Sequence, residues 1–320
     1  MLAKTNRFLE TIMPLITPTS VVIGIVCSAW LSPYQGWSTA LFAFMTFAGS
    51  LRSGFRDLKR VAQHPLPLFV TLAVLHICMP LIAWGLGSLA FAGDPLTITG
   101  IVLASAIPTG VTSLMWVTLY RGSVPLTISI VLADTMLSPF VVPATMKLLV
   151  GASVAIDAWA MMKGLLLMVV LPSLLGMLLH ERTGGRVHER WSVRLAPFSK
   201  LAMALVIALN GAVIAPYLRH PTAKLLGLAA FVLLVAALGY VLGALATRLF
   251  RWDRGISVAL TFNGGMRNIS AGAVLALAFF PAPAAIPVVL GMLFQQTLAS
   301  LFGFLLHRKA AFRDPAGDCA

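Results

Sequence analysis
Apolar runs long enough to cross a lipid bilayer follow one another along the whole chain, separated by short polar loops. Ten can be drawn, at about 12–31, 37–51, 66–91, 96–120, 125–149, 161–180, 199–217, 224–250, 256–280 and 285–306. Roughly 20 apolar residues in a helix span the hydrocarbon layer, and backbone polar groups in that layer must find their partners within the protein. The sequence therefore predicts an all-α polytopic membrane protein of ten transmembrane helices. Segments two and seven are short and predict tilted or neighbour-assisted spans. Only 10% of the 320 residues are charged, against about 25% in soluble domains, which excludes an ordinary cytosolic protein. With 59% hydrophobic residues, the chain is too apolar for intrinsic disorder.

The net charge of +13 does not point to nucleic acid. Phosphate-binding residues cluster on one soluble face, whereas these are scattered between apolar runs. They do divide by side. Lys4, Arg7, Arg52, Arg56, Lys59, Arg60, Arg121, Arg182, Arg186, Arg190, Arg194, Lys200, Arg248, Arg251, Arg254, Arg308, Lys309 and Arg313 fall on one side of the ten-span arrangement. Lys147, Lys163, Arg219 and Lys224 fall on the other. The positive-inside rule places the first set in the cytoplasm, so a multi-pass protein of the cell inner membrane with both termini cytoplasmic is expected. Lys4 and Arg7 ahead of an apolar stretch suggest a signal peptide, but that stretch is long, holds Pro14 and Pro18, and lacks a small-residue cleavage site. It predicts a retained first span. Cys27, Cys78 and Cys319 suggest neither a disulfide set nor a zinc site.

The ten spans divide into two halves of five, and Gly184-Gly185 lies in the most basic loop. An odd number of spans per half makes the repeats inverted. Residues 1–150 form the first (spans one to five), and residues 151–186 open the second with span six and part of the basic loop. Residues 187–307 complete it with spans seven to ten, and residues 308–320 form a cytoplasmic tail. The fourth span of each half is interrupted, by Ser105-Ala106-Ile107-Pro108-Thr109-Gly110-Val111-Thr112-Ser113 and by Asn263-Gly264-Gly265-Met266-Arg267-Asn268. Proline removes a backbone donor and glycine is entropically costly in a helix, so both spans are expected to unwind near mid-membrane. Matched interruptions in two halves point to a transporter's binding site. Packing glycines and a proline kink are the plainer alternative.

At these interruptions the chain resembles the bile acid:sodium symporter family, and the likeness runs over nearly the whole length. It is carried by the basic loop leading to His64-Pro65, by Met79-Pro80, by Pro108-Thr109-Gly110-Val111-Thr112-Ser113, by Arg121-Gly122, by Ser138-Pro139, and by Gly265-Met266 with Asn268. The resemblance implies a panel domain of spans one, two, six and seven and a core domain of the other six. Spans four and nine would cross at their broken centres, with organic anions bound in the cleft between domains. The better-known members drive uptake with sodium, and here the chain departs from their pattern. The family's span-nine motif Glu-x-Gly-Met-Gln-Asn is replaced by Asn263-Gly264-Gly265-Met266-Arg267-Asn268. The Ser-Asn pair of span four becomes Ser113-Leu114, and the two hydroxyl positions of span five are Thr127 and Val131. Sodium needs several oxygen ligands, and a carboxylate helps neutralise it in a low dielectric. No metal site is expected at these degenerate positions.

Asp134 and Arg267 are the ionisable residues nearest the centres of long spans, and intramembrane charges are usually paired or functional. Thr127, Val131, Asp134 and Ser138 follow helical spacing and share a face, which the resemblance turns toward the former sodium position. Arg267 is expected to stand where a cation stood, with Asp134 compensating its charge. That compensation is either a static bridge or a dynamic role, with Asp134 taking up a proton or substrate competing for Arg267. Thr109, Gly110, Thr112, Ser113, Asn263 and Asn268 are substrate-binding candidates at the broken centres, where restarting helices offer free N–H groups and partial positive charge. Capping alone also explains the polar ones. Gln295 and Gln296 occupy positions where related proteins place substrate-facing residues, with inter-helix bonding as the alternative. Thr127 and His76 complete the coupling candidates, His76 for its near-neutral ordinary pKa, although a packing histidine is the blander reading.

These features predict a secondary transporter of small organic anions working by alternating access, not coupled to sodium, and either proton-coupled, exchanging or facilitative. The alternatives are sodium-coupled organic anion or bile acid symport, a membrane-embedded enzyme, and a non-transporting sensor. No HExxH motif, aspartate-rich pair or Gly-x-Ser-x-Gly elbow favours an enzyme. The expected partners are a small organic anion, the lipid bilayer and, under one coupling mode, protons, with no cofactor and no nucleic acid.

Overall fold
The computed structural model describes residues 13–55, 65–188, 191, 193–219 and 222–311. Lys4, Arg7, Arg56, Lys59, Arg60, His64, Arg190 and residues 312–320, which figure in the sequence reading, lie outside them. Among the described residues the fold is all-helical, and its one extended contact is an isolated bridge between two residues. The helices are α1 (Met13–Val26), α2 (Ser28–Leu31), α3 (Trp37–Ser50), α4 (Pro65–Ala90), α5 (Pro95–Ala106), α6 (Ser113–Leu119), α7 (Val124–Val150), α8 (Ala158–Arg182), α9 (Val193–Leu218), α10 (Ala223–Leu249), α11 (Arg254–Gly265), α12 (Ile269–Phe279) and α13 (Ile286–Ala311). Helices α4, α7, α8, α9, α10 and α13 are long and apolar enough to cross a membrane. This is an integral, multi-pass membrane protein.

The shorter elements depart from straight spans for local reasons. The first apolar segment, expected to run unbroken over 12–31, bends by 86° between α1 and the turns that follow. The Arg219 guanidinium holds that bend, donating to the Ile25 carbonyl at 3.2 Å and to the Ser28 hydroxyl at 2.6 Å. Segment seven, expected to be short, is instead the 26-residue helix α9, because the helix continues into the basic loop where hydropathy no longer reports it. Segments four and nine are the broken pairs α5/α6 and α11/α12.

Two long helices each contain a π-turn, Val74–Cys78 in α4 and Leu166–Val170 in α8. A proline follows each, at Pro80 and Pro172. Lacking an N–H, proline cannot bond the carbonyl four residues earlier, which here belongs to His76 and Met168. The preceding N–H groups, of Met79 and Leu171, reach back to Val74 and Leu166 instead.

Helices α1, α3, α8 and α9 pack most extensively on one another, while α4 packs on α5, and α10 on α11 and α13. Close approach is set by glycine at the α1–α9 crossing: a Cβ on Gly24 would lie 2.3 Å from the Ala208 carbonyl oxygen. Tyr240, Phe262, Trp116 and Tyr120 form a contiguous aromatic cluster under the second broken helix.

Candidate functional site
Helix α5 stops at Ala106 because Ile107 precedes Pro108. A residue before proline is pushed out of the helical region, and Ile107 sits at φ −59°, ψ 149°. Helix α11 stops at Gly265, with Met266 extended at φ −93°, ψ 128°. The two extended stretches meet. Thr109 and Arg267 form an antiparallel bridge, the Asn268 N–H donates to the Pro108 carbonyl at 2.8 Å, and the Gly110 N–H donates to the Met266 carbonyl at 3.2 Å. The Thr109 hydroxyl donates to the carbonyls of Asn263 (3.0 Å) and Met266 (2.9 Å). A Cβ on Gly110 would fall 2.8 Å from the Arg267 carbonyl oxygen, so only glycine permits this approach. The crossing thus supplies the partners that helix breaks would otherwise leave missing.

Asn263 is fully buried and fully used. Its Oδ1 accepts from the Ser113 hydroxyl at 2.9 Å, and its Nδ2 donates to the Thr127 hydroxyl at 3.2 Å and to the Ala259 carbonyl at 2.8 Å. This network joins α6, α7 and α11. Leu114 and Val131 add no oxygen to it.

The two intramembrane charges do not form the ion pair expected of them. Asp134 is completely buried, and its carboxylate is occupied on both sides. Oδ1 accepts from His76 Nε2 at 2.6 Å, and Oδ2 accepts from the Thr109 backbone N–H at 2.6 Å. Arg267 is 6% exposed, and neither terminal nitrogen of its guanidinium has a hydrogen-bond partner. It lies within the fields of Asp134 and Tyr240 without touching either carboxylate or phenol in a bond. The shared helical face of α7 does point Thr127 and Asp134 at the crossing. What the spacing could not give was the competition for the carboxylate from His76 and the Thr109 N–H.

A cavity of about 390 Å³ lies between α3, α8 and α9 on one side and the crossing with α13 on the other. Gly110, Thr112, Arg267, Asn268, Gln295 and Gln296 line it. Thr109, Ser113 and Asn263, also expected to meet substrate, are instead buried in the network behind its wall. Of the capping candidates, Asn268 accepts from the Ala271 N–H at 3.4 Å, whereas Thr112 makes no side-chain cap. Gln295 accepts from the Arg267 N–H at 3.0 Å and Gln296 from the Trp116 indole at 3.2 Å, so both glutamines bond between helices as well as lining the cavity. Among the described lining residues, Arg52, Lys200 and Arg267 are cationic and none is acidic. The His76–Asp134 bond and the placement of Tyr240 beside Arg267 are not legible in the local sequence pattern. Met79-Pro80 was the only available signal for the first, through the π-turn it imposes on His76.

Residues 39–221 match a family model described as the Sodium Bile acid symporter family. The chain is 52% identical over 296 residues to a Bacillus subtilis (strain 168) protein named uncharacterized protein YbaS, covering 92% of this chain and 97% of that one. It is 22% identical over 280 residues to a protein of the same organism named uncharacterized sodium-dependent transporter YocS (88% and 85% covered). To a probable chloroplastic sodium/metabolite cotransporter of Oryza sativa subsp. japonica, BASS3, it is 26% identical over 318 residues (93% and 71% covered).

Proposed function
The chain belongs to the sodium bile acid symporter family, whose description and named relatives indicate transporters rather than enzymes, and on that premise we propose that it carries small organic anions by alternating access without sodium. The observation that carries the reading is the Arg267 guanidinium, buried at the crossing with both terminal nitrogens unpartnered. A buried unpaired cation is strongly unfavourable, and an organic carboxylate entering the neighbouring cavity supplies the bidentate partner that guanidinium geometry suits. A volume of about 390 Å³ lies in the range of small-molecule sites, about 300–1,000 Å³.

The side chains at the former cation positions do not fit sodium. Asn263 turns a donor, Nδ2, toward Thr127 and commits its Oδ1 to Ser113, Leu114 and Val131 offer nothing, and Arg267 repels a cation. We read the two broken pairs as corresponding elements of two inverted five-span repeats, residues 1–150 and 151–307, giving ten spans in all. Helices α1, α3, α8 and α9 would then be the panel and the remainder the core, with both termini in the cytoplasm of an inner-membrane protein.

The names of the relatives favour a second reading, sodium-coupled symport. Counterflow of labelled taurocholate, pyruvate and pantothenate in proteoliposomes, with sodium replaced by potassium at fixed ionic strength, decides between them. Unchanged counterflow supports the sodium-independent carrier. A steep sodium dependence supports the second reading, and hydrolysis or other turnover of a probe without flux would overturn both.

A further inference from the structure
A carrier that does not use sodium needs another account of its driving force, and the structure holds a buried titratable pair that the anion cavity leaves unused. We propose that His76 and Asp134 form a proton-binding element that takes up one proton with each monovalent organic anion. This rests on the anion-carrier reading above. The side chains are 7% and 0% exposed, and His76 Nε2–H donates to Asp134 Oδ1 at 2.6 Å. His76 Nδ1 is buried without a hydrogen-bond partner. With Nε2–H donating to an ionised carboxylate, Nδ1 carries a bare lone pair, and that atom receives the proton. The pair then passes from one negative charge to neutrality.

Two features tie the pair to transport rather than to packing. His76 lies in the π-turn of α4, a distortion that recurs at functional sites. The second oxygen of Asp134 accepts the Thr109 N–H, and Thr109 is the residue that bridges to Arg267. Charge counting gives the coupling. Unprotonated and empty, Asp134 and Arg267 cancel. An anion alone leaves the cluster negative, a proton alone leaves it positive, and both together restore neutrality. Uncompensated charge is costly in a low dielectric, so each ligand favours the other, reciprocally.

The other ionisable groups around the π-turn do not alter this count. Helix α5, packed on it, has none, and α7 adds only Lys147 near its end. Helix α10 adds Tyr240, which faces Arg267, with Lys224 and Arg248 at its ends, and α4 itself adds the exposed Cys78.

Two measurements test the proposal, and only one needs a substrate. Infrared difference spectra of the purified protein, recorded as the pH is varied, should show coupled imidazole and carboxylate bands that change with proton uptake. Both His76→Gln and Asp134→Asn should abolish this change, and His76→Gln keeps a donor for Asp134. An unchanged spectrum in His76→Gln overturns the proposal whatever the substrate. In sodium-free proteoliposomes, an inward gradient of one pH unit should support about tenfold accumulation of a probe that shows counterflow. That uptake should be insensitive to membrane potential. His76→Gln should lose the gradient-driven accumulation. Counterflow without gradient-driven accumulation in the parent protein overturns proton coupling and leaves the carrier standing. Absence of counterflow for taurocholate, pyruvate and pantothenate alike counts against the carrier reading, and the infrared titration still decides the pair.

Discussion
Asn263 and Arg267 lie four positions apart around the same helix break, and their surroundings are opposite. The Asn263 amide uses both of its ends in a closed network among α6, α7 and α11. Arg267 anchors its backbone to Gln295 yet leaves two guanidinium nitrogens without partners. A satisfied buried amide holds a crossing together, and an unsatisfied buried cation leaves an interaction for something else to complete. The contrast separates scaffold from recognition within one stretch of chain.

The largest expected effect tests the open half of that contrast. Arg267→Met and Arg267→Gln should lower counterflow by about 100-fold, from the loss of two charge-assisted bonds of about 1.5 kcal/mol or more each. The empty protein should unfold near the parent's temperature, because the terminal guanidinium nitrogens make no hydrogen bond for the substitution to break, although Asp134 loses a compensating charge. A variant that unfolds early and still transports would reverse the assignment. Asn263→Leu should do the converse, destabilising by about 2–4 kcal/mol as the Ser113 and Thr127 hydroxyls lose partners, while flux per folded molecule is kept. Thermal unfolding beside counterflow reads both.

Smaller effects sharpen the boundary. A double-mutant cycle of Asp134→Asn with Arg267→Gln should give a coupling of about 1 kcal/mol, well below the 3–5 kcal/mol typical of breaking a directly bonded buried pair. A larger coupling would mean that the two charges meet in some state of the cycle. The smallest effect belongs to a pair at the N-terminal ends of α5 and α10. Asp94, at the N-terminus of α5, accepts from Lys224 at 2.7 Å and from the Thr97 N–H at 3.2 Å. Partial burial raises its pKa, but these donors outweigh burial and hold the carboxyl below its ordinary value. A lowered folded pKa stabilises above the ordinary value of about 3.9 and loses that contribution as pH falls through the folded one. Lys224 is mostly exposed, so Lys224→Met should remove at most about 1 kcal/mol, visible as a flatter stability profile at the acid end.

Hydropathy carried most of this fold. Each of the ten apolar segments contains helix, and Pro108 with Gly264-Gly265 marked where two of them come apart. Local chemistry was enough there, because proline and glycine act on their own backbone. The candidate site was legible only in part. Arg267 and Asp134 stood out by depth, since charge is rare in apolar runs, but their partners did not. His76 and Asp134 are separated by 58 residues, and helical periodicity constrains only neighbours a turn apart. Asn263, Ser113 and Thr109 stand out by polarity, which cannot distinguish a wall-facing polar group from one turned into the protein. The bend in segment one is not legible in its own residues, because it is held by Arg219, far along the chain.

The π-turn of α4 has a consequence for helical phase. A turn of this kind holds one residue more than an α-turn, so the faces of residues 65–73 and 79–90 are offset by about 100° from those of a continuous α-helix. Insertions and deletions are usually ruinous in a packed helix because they rotate everything beyond them. Here a single-residue deletion within Val74–Cys78, sparing His76, should be absorbed by loss of the extra residue and keep both flanks in their present orientation. The membrane helix thus contains one stretch that tolerates a change of length, and it is the stretch that presents His76 to Asp134.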